Sequence, residues 1–195
     1  MADTQLSGNR FQEPEYLINP KKTVLWLLIV ASVMLFAGFT SAYIVRRGEG
    51  NWEIFALPSA FIYSTILIVL SSLSMQFSLI KMKQGNKSTS ITLQVITLLL
   101  GIAFCISQFN GWQQLRADNV YFSFTNPSNP FVYVITGMHV LHAMGGILFL
   151  LIMLFQTLRR IINSSNTLFL SMCNTYWHFV GILWIYLYIF LTLYR

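Results

Sequence analysis

No Asp, Glu, Lys or Arg falls within residues 23–45, 54–80, 88–115, 119–158 or 161–194. A helix crossing the hydrocarbon core, about 30 Å thick, needs about 20 apolar residues because each rises about 1.5 Å. Each window is long enough for that. Charged residues make up 9% of the 195-residue chain and hydrophobic residues 55%, whereas a soluble domain carries about 25% charge. A chain this short has too much surface for its volume to hide so much apolar area from water. Soluble globular, disordered and disulfide-scaffold architectures are therefore excluded.

The fourth window is too long for one span, but residues 119–130 contain Asn126-Pro127 and Asn129-Pro130, dipeptides that mark a loop. None of the windows alternates apolar and polar residues as a β-barrel strand does. The expected fold is all-α: a single-domain, polytopic five-helix bundle with helices near 23–45, 56–80, 90–114, 131–157 and 168–193. Residues 1–22, with Glu13, Pro14, Glu15 and Pro20, read as a polar tail. Thr40-Ser41-Ala42 resembles a cleavage site, but the first apolar run exceeds the 7–15 residues of a signal-peptide core. Helix 1 is expected to be an uncleaved anchor.

Five spans put the termini on opposite sides. Arg10, Lys21, Lys22, Lys81, Lys83, Lys87, Arg159 and Arg160 collect on the N-terminal side, against Arg46, Arg47, Arg116 and Arg195 on the other. Basic residues favour the cytoplasm, so a cytoplasmic N-terminus and a periplasmic C-terminus are expected. The net charge of +6 comes from these helix-end residues. It forms no patch of the kind that binds nucleic acid.

All six acidic residues lie outside the expected helices. Pumps and cation carriers hold Asp or Glu at membrane depth for proton exchange or ion pairing, so a stand-alone transporter is disfavoured. Cys105 and Cys173 lie in apolar stretches without haem-attachment or metal-binding spacing; they read as buried, unreactive thiols. His139 and His142, three apart, share one face of helix 4, and His178 lies in helix 5. Haem or metal ligation is one reading of these imidazoles. Interhelical hydrogen bonding is the other. His178 could complete a trio, yet no Cys or carboxylate is placed as a fourth ligand. Gly38-x-x-x-Ala42 and Gly145-Gly146 are spaced for close helix contact, and Ser71, Ser74 and Ser78 form a polar ridge on helix 2. Trp26, Trp52, Trp112 and Trp177 fall near expected helix ends, where indoles favour the headgroup layer.

The segments Gly137-Met138-His139-Val140-Leu141-His142-Ala143-Met144-Gly145-Gly146 and Tyr176-Trp177-His178-Phe179-Val180 resemble subunit III of the haem–copper oxidases. The likeness extends through Gly38-Phe39, Leu57-Pro58-Ser59 and the stretch from Gln108 to Leu115. Longer members have seven helices; this chain resembles the short bacterial form that lacks the first two. The resemblance implies a subunit without haem or copper of its own, in the bacterial cytoplasmic membrane. Catalytic subunit I and subunit II would be its partners and would carry those cofactors. A larger respiratory supercomplex is a further candidate partner.

On this view the subunit binds phospholipid and supports assembly and proton uptake, while His139, His142, Tyr176, Trp177 and His178 pack and hydrogen-bond between helices. Arg159 and Arg160 are candidates for lipid headgroups. Carboxylates frequent in the family are absent: Ser32, Gly111 and Gly181 stand at the matching positions. Subunit III of a quinol oxidase and an accessory protein of a nitric oxide reductase remain alternatives. A b-type cytochrome with His139 or His142 paired with His178 is a reading from a different class.

Overall fold

In the computed structural model, which describes residues 20–50, 52, 56–120, 128–162 and 166–194, the apolar windows are helical. They form α1 (Pro20–Gly48), α2 (Ala60–Lys83), α3 (Lys87–Ala117), α4 (Ser128–Leu158) and α5 (Leu168–Tyr194). All five are long and apolar enough to span a membrane, and no strand element occurs among the described residues. Of the expected tail, residues 1–19 lie outside the described residues, and Pro20, Lys21 and Lys22 already belong to α1.

Local chemistry explains where the helices start and stop. The helix α2 begins at Ala60, later than expected, because Pro58 and Ser59 form a turn. Their carbonyls accept from the amides of Phe61 (3.1 Å) and Ile62 (3.0 Å). The N-cap of α3 is Asn86, whose side chain accepts from the Thr89 amide at 3.2 Å. The helix α4 begins at Ser128, so Asn129-Pro130 is its first turn rather than a loop. Proline suits that position because the first-turn N–H groups have no intrahelical partner to lose. Asn126-Pro127 lies outside the described residues.

Left-handed residues end α2, α3 and α4: Gly85 (φ +80°), Asn119 (φ +60°) and Arg160 (φ +62°). After α4, the amides of Arg160 and Ile161 return to the carbonyls of Thr157 and Gln156 at 3.2 and 3.0 Å. This is the Schellman arrangement usually built on Gly or Asn. At Arg160 it is held by a residue with a Cβ penalty.

The packing is a ring with one attached helix. The helix α2 lies along α3, α3 on α4, α4 on α5, and α5 returns to α2. The helix α1 touches only α4 and α5. In lipid, helices gain little by hiding apolar surface from one another, so close approach and hydrogen bonds hold them together. The α2–α3 seam shows this. Ser71 and Ser74 Oγ donate to the carbonyls of Thr97 and Leu93, both at 3.0 Å, while Ser78 and Ser90 pair at 3.0 Å. The Ser71–Ser74–Ser78 ridge is thus the contact with α3.

Gly38 and Ala42 do not mediate close helix contact. Nothing lies within 4 Å of a Cβ added at Gly38, and both residues are exposed. The buried face of α1 carries Ile29, Ser32, Phe36, Thr40 and Tyr43 instead. It is tied to α5 by Tyr43 Oη donating to the Tyr194 carbonyl (3.1 Å) and by Tyr186 Oη with Thr40 Oγ1 (3.2 Å).

Candidate functional site

The two signature segments meet at the axis of the ring, because α4 and α5 are neighbours and each turns its small or aromatic residues inward. Trp177, 1% exposed, touches every helix of the ring. Its Nε1 donates to Ser71 Oγ of α2 at 2.9 Å. A Cβ added at Gly101 of α3 or Gly146 of α4 would lie 2.9 Å from its ring. The indole therefore occupies space that two glycines leave open, and it is a core residue rather than an interfacial one. Gly145 lacks this constraint, its nearest neighbour being Tyr176 Oη at 3.9 Å. Tyr176 Oη donates to the His142 carbonyl at 3.2 Å, a second tie between α5 and α4.

Trp184, two turns beyond Trp177 on the same face, forms the next layer. Its Nε1 donates to Thr65 Oγ1 at 3.0 Å, and its ring meets those of Phe61 and Phe104 edge-on, with both centroids at 5.5 Å. His139 is fully buried in this layer. Its ring centroid lies 5.1 Å from Trp184, 5.7 Å from Phe104 and 6.3 Å from Phe36. Among the described residues neither ring nitrogen has a hydrogen-bond partner, and neither amide atom of buried Gln108 does.

The other histidines point elsewhere. His142 Nδ1 donates to the Met138 carbonyl of its own helix at 2.8 Å, and its ring lies 5.2 Å from Phe36 of α1. His178 Nε2 donates to Gln76 Oε1 of α2 at 3.2 Å, and Asn174 Nδ2 donates to the same oxygen at 2.9 Å. The three imidazoles thus address the core, α1 and α2 respectively. Among the described residues, no three His, Cys, Asp or Glu side chains are grouped to hold a metal ion.

The three positions that lack a carboxylate are tightly packed. Ser32 Oγ donates to the Leu28 carbonyl at 2.8 Å. A side chain at Gly111 would run into the Phe61 ring, and a Cβ at Gly181 would lie 3.0 Å from Ser72 Oγ. Neighbouring side chains of α2 occupy the two glycine sites.

Arg159 and Arg160 diverge although they are adjacent. The Arg159 guanidinium lies 4.2 Å from the Phe155 ring centroid. Arg160 lines an open cavity with Lys87, Ser88, Ile91 and Leu158, where the start of α3 meets the end of α4. Sequence reading missed Lys87 in this cavity, Trp184 and Gln76. The spacing of Trp177 and Trp184 at two turns was the available signal for the second tryptophan.

A family model described as cytochrome c oxidase subunit III matches residues 51–195, which include both signature segments. The chain belongs to the cytochrome c oxidase subunit III family. Its relatives include the cytochrome bo(3) ubiquinol oxidase subunit 3 of Pseudomonas aeruginosa, 29% identical over 165 residues (82% of this chain, 78% of the relative). The cytochrome c oxidase subunit 3 of Bacillus sp. strain PS3 is 24% identical over 168 residues (84% and 80%). The probable quinol oxidase subunit 3 of Staphylococcus aureus strain USA300 is 24% identical over 192 residues (95% and 92%). In this subunit III chain His139 and Trp177 are buried between helices, and His178 bonds to Gln76 of α2.

Proposed function

We propose that this chain is a non-redox accessory subunit of a proton-pumping terminal oxidase in the bacterial cytoplasmic membrane. It assembles beside a catalytic subunit I and a subunit II, which carry the haem and copper, and it supports lipid binding and proton uptake there. One observation carries the reading. The signature side chains are spent on contacts between this chain's own helices, and no Asp or Glu lies within any of the five helices. The purified chain is expected to be colourless and to bind neither haem nor metal stoichiometrically. One haem per chain, lost on His178→Ala, would show it to be a b-type cytochrome instead. Relatives named for cytochrome c and for quinol support an oxidase role whose electron donor is set by other subunits. The excess of basic residues at the ends from which α1, α3 and α5 begin supports a cytoplasmic N-terminus.

Lipid binding belongs to the same reading. A membrane surface rich in anionic headgroups attracts each nearby basic residue by about 1 kcal/mol. Lys87 and Arg160 converge on one cavity, while Arg159 is engaged with Phe155. Lys87→Ala with Arg160→Ala is expected to lower anionic phospholipid in the purified complex, and Arg159→Ala to leave it nearly unchanged. Mass spectrometry of retained lipid checks this. A loss from Arg159→Ala about half that from the double variant would show that only total charge matters.

A further inference from the structure

The Gln76–Asn174–His178 cluster lies where lipid alone cannot satisfy it. A slab about 30 Å thick centred on α2 takes in roughly residues 62–81, and on α5 roughly 171–191. All three polar side chains fall inside. Gln76 is exposed on the outside of the α2–α5 seam, with exposed Leu73 and Phe77 on either side of it. Its oxygen already accepts from both Asn174 and His178. Among the described residues both hydrogen bonds of Gln76 are made at that oxygen, which leaves its amide nitrogen, with two donors, unused, and buried Asn174 Oδ1 has no partner there either. Hydrocarbon offers no acceptor, and an unsatisfied amide there is costly. Polar side chains at this depth normally face protein.

We propose that the α2–α5 seam around Gln76 docks a transmembrane helix of a partner oxidase subunit. That helix presents an oxygen acceptor to the Gln76 amide and apolar side chains to Leu73 and Phe77. A donor-only or purely aliphatic helix would leave the amide unpaired, so the chemistry of the seam selects among neighbours. The cluster also fixes the amide's direction. With His178 and Asn174 both donating to the oxygen, the nitrogen is turned away from α5. This inference rests on the accessory-subunit reading and adds which face of the chain makes the contact.

The test uses the whole oxidase in native membranes. Phe77→p-benzoylphenylalanine is expected to give a light-dependent adduct with another oxidase subunit, and the same replacement at Leu148 on the exposed side of α4 to give lipid adducts. Gln76→Leu is expected to lower the chain retained on the affinity-purified haem-bearing subunit by roughly threefold, as for one interhelical hydrogen bond of ordinary strength. Its level in the membrane should not change. Adducts at Phe77 with lipid only, or with a second copy of this chain, would overturn the proposal while leaving the accessory role intact. Full retention of Gln76→Leu would overturn it too. Failure of the unaltered chain to accompany any haem-bearing subunit would overturn the accessory reading, and this proposal with it.

Discussion

An oxidase purified without this chain is expected to start reducing oxygen at the normal rate and then lose activity over successive turnovers. The first part follows from ligand chemistry. The imidazoles of His139, His142 and His178 are directed to three different neighbours, so on the accessory-subunit reading removing them takes no redox centre from the complex. The second part follows from proton supply. When protons arrive slowly, reactive oxygen intermediates wait longer in the catalytic subunit and damage it. The fading should be faster in alkaline buffer, where protons are scarce. Oxygen uptake followed against time, with and without the chain, measures both effects. Immediate loss of all activity, with haems retained and the other subunits assembled, would require a direct catalytic role and refute the accessory reading.

Replacing Trp177 is expected to have the largest effect on the chain itself. Truncating a buried tryptophan to alanine costs about 3–5 kcal/mol in well-packed cores. Here it also removes the indole N–H that Ser71 Oγ accepts, leaving that hydroxyl only its bond to the Thr97 carbonyl. The converse change, Gly146→Ala, forces a methyl to within 2.9 Å of the same ring, and overpacking of this kind costs about 1–3 kcal/mol. The two changes compete for one space. In the double variant Trp177→Ala/Gly146→Ala the penalties should therefore fall short of their sum, with a coupling of at least about 0.5 kcal/mol. Thermal unfolding of the purified chain in detergent measures all three variants. Strict additivity would mean that the ring and the glycine do not share that space.

The number of spans and the all-helical class were legible because charge is excluded from five windows, and a membrane tolerates no other reading of such windows. Boundaries were less so. Pro130 marked a loop in sequence, yet proline is equally at home in a helix's first turn, and only the position of Ser128 decides between the two. The small-residue pair Gly38 and Ala42 misled for a related reason. Spacing shows that two residues share a face, but not whether another helix lies against that face. Gly146 and Gly101 are indistinguishable from Gly38 until Trp177 is seen between them. His139 was expected to pack and hydrogen-bond between helices; the structure buries it but gives neither ring nitrogen a partner among the described residues, which depends on the surrounding side chains, something no spacing encodes. Gln76 carried a signal that went unused: an amide inside an apolar window.

The attachment of α1 to α4 and α5 alone bears on how the chain is made. Only 22% of its most apolar window is buried, against 50% for α5. Of the five helices, α1 leaves the ribosome before the others, but its neighbours are the last two of them to be synthesised. While α2 and α3 are being inserted, α1 has neither of its two neighbouring helices to pack against. It must persist as a lone membrane helix, or in the keeping of an insertion factor, until α4 and α5 arrive. The serine-bonded α2–α3 hairpin can close as soon as it enters the bilayer. Among the five helices, assembly order therefore departs from synthesis order: the α2–α3 pair matures before α1, and a chain truncated after α3 would leave α1 unclaimed.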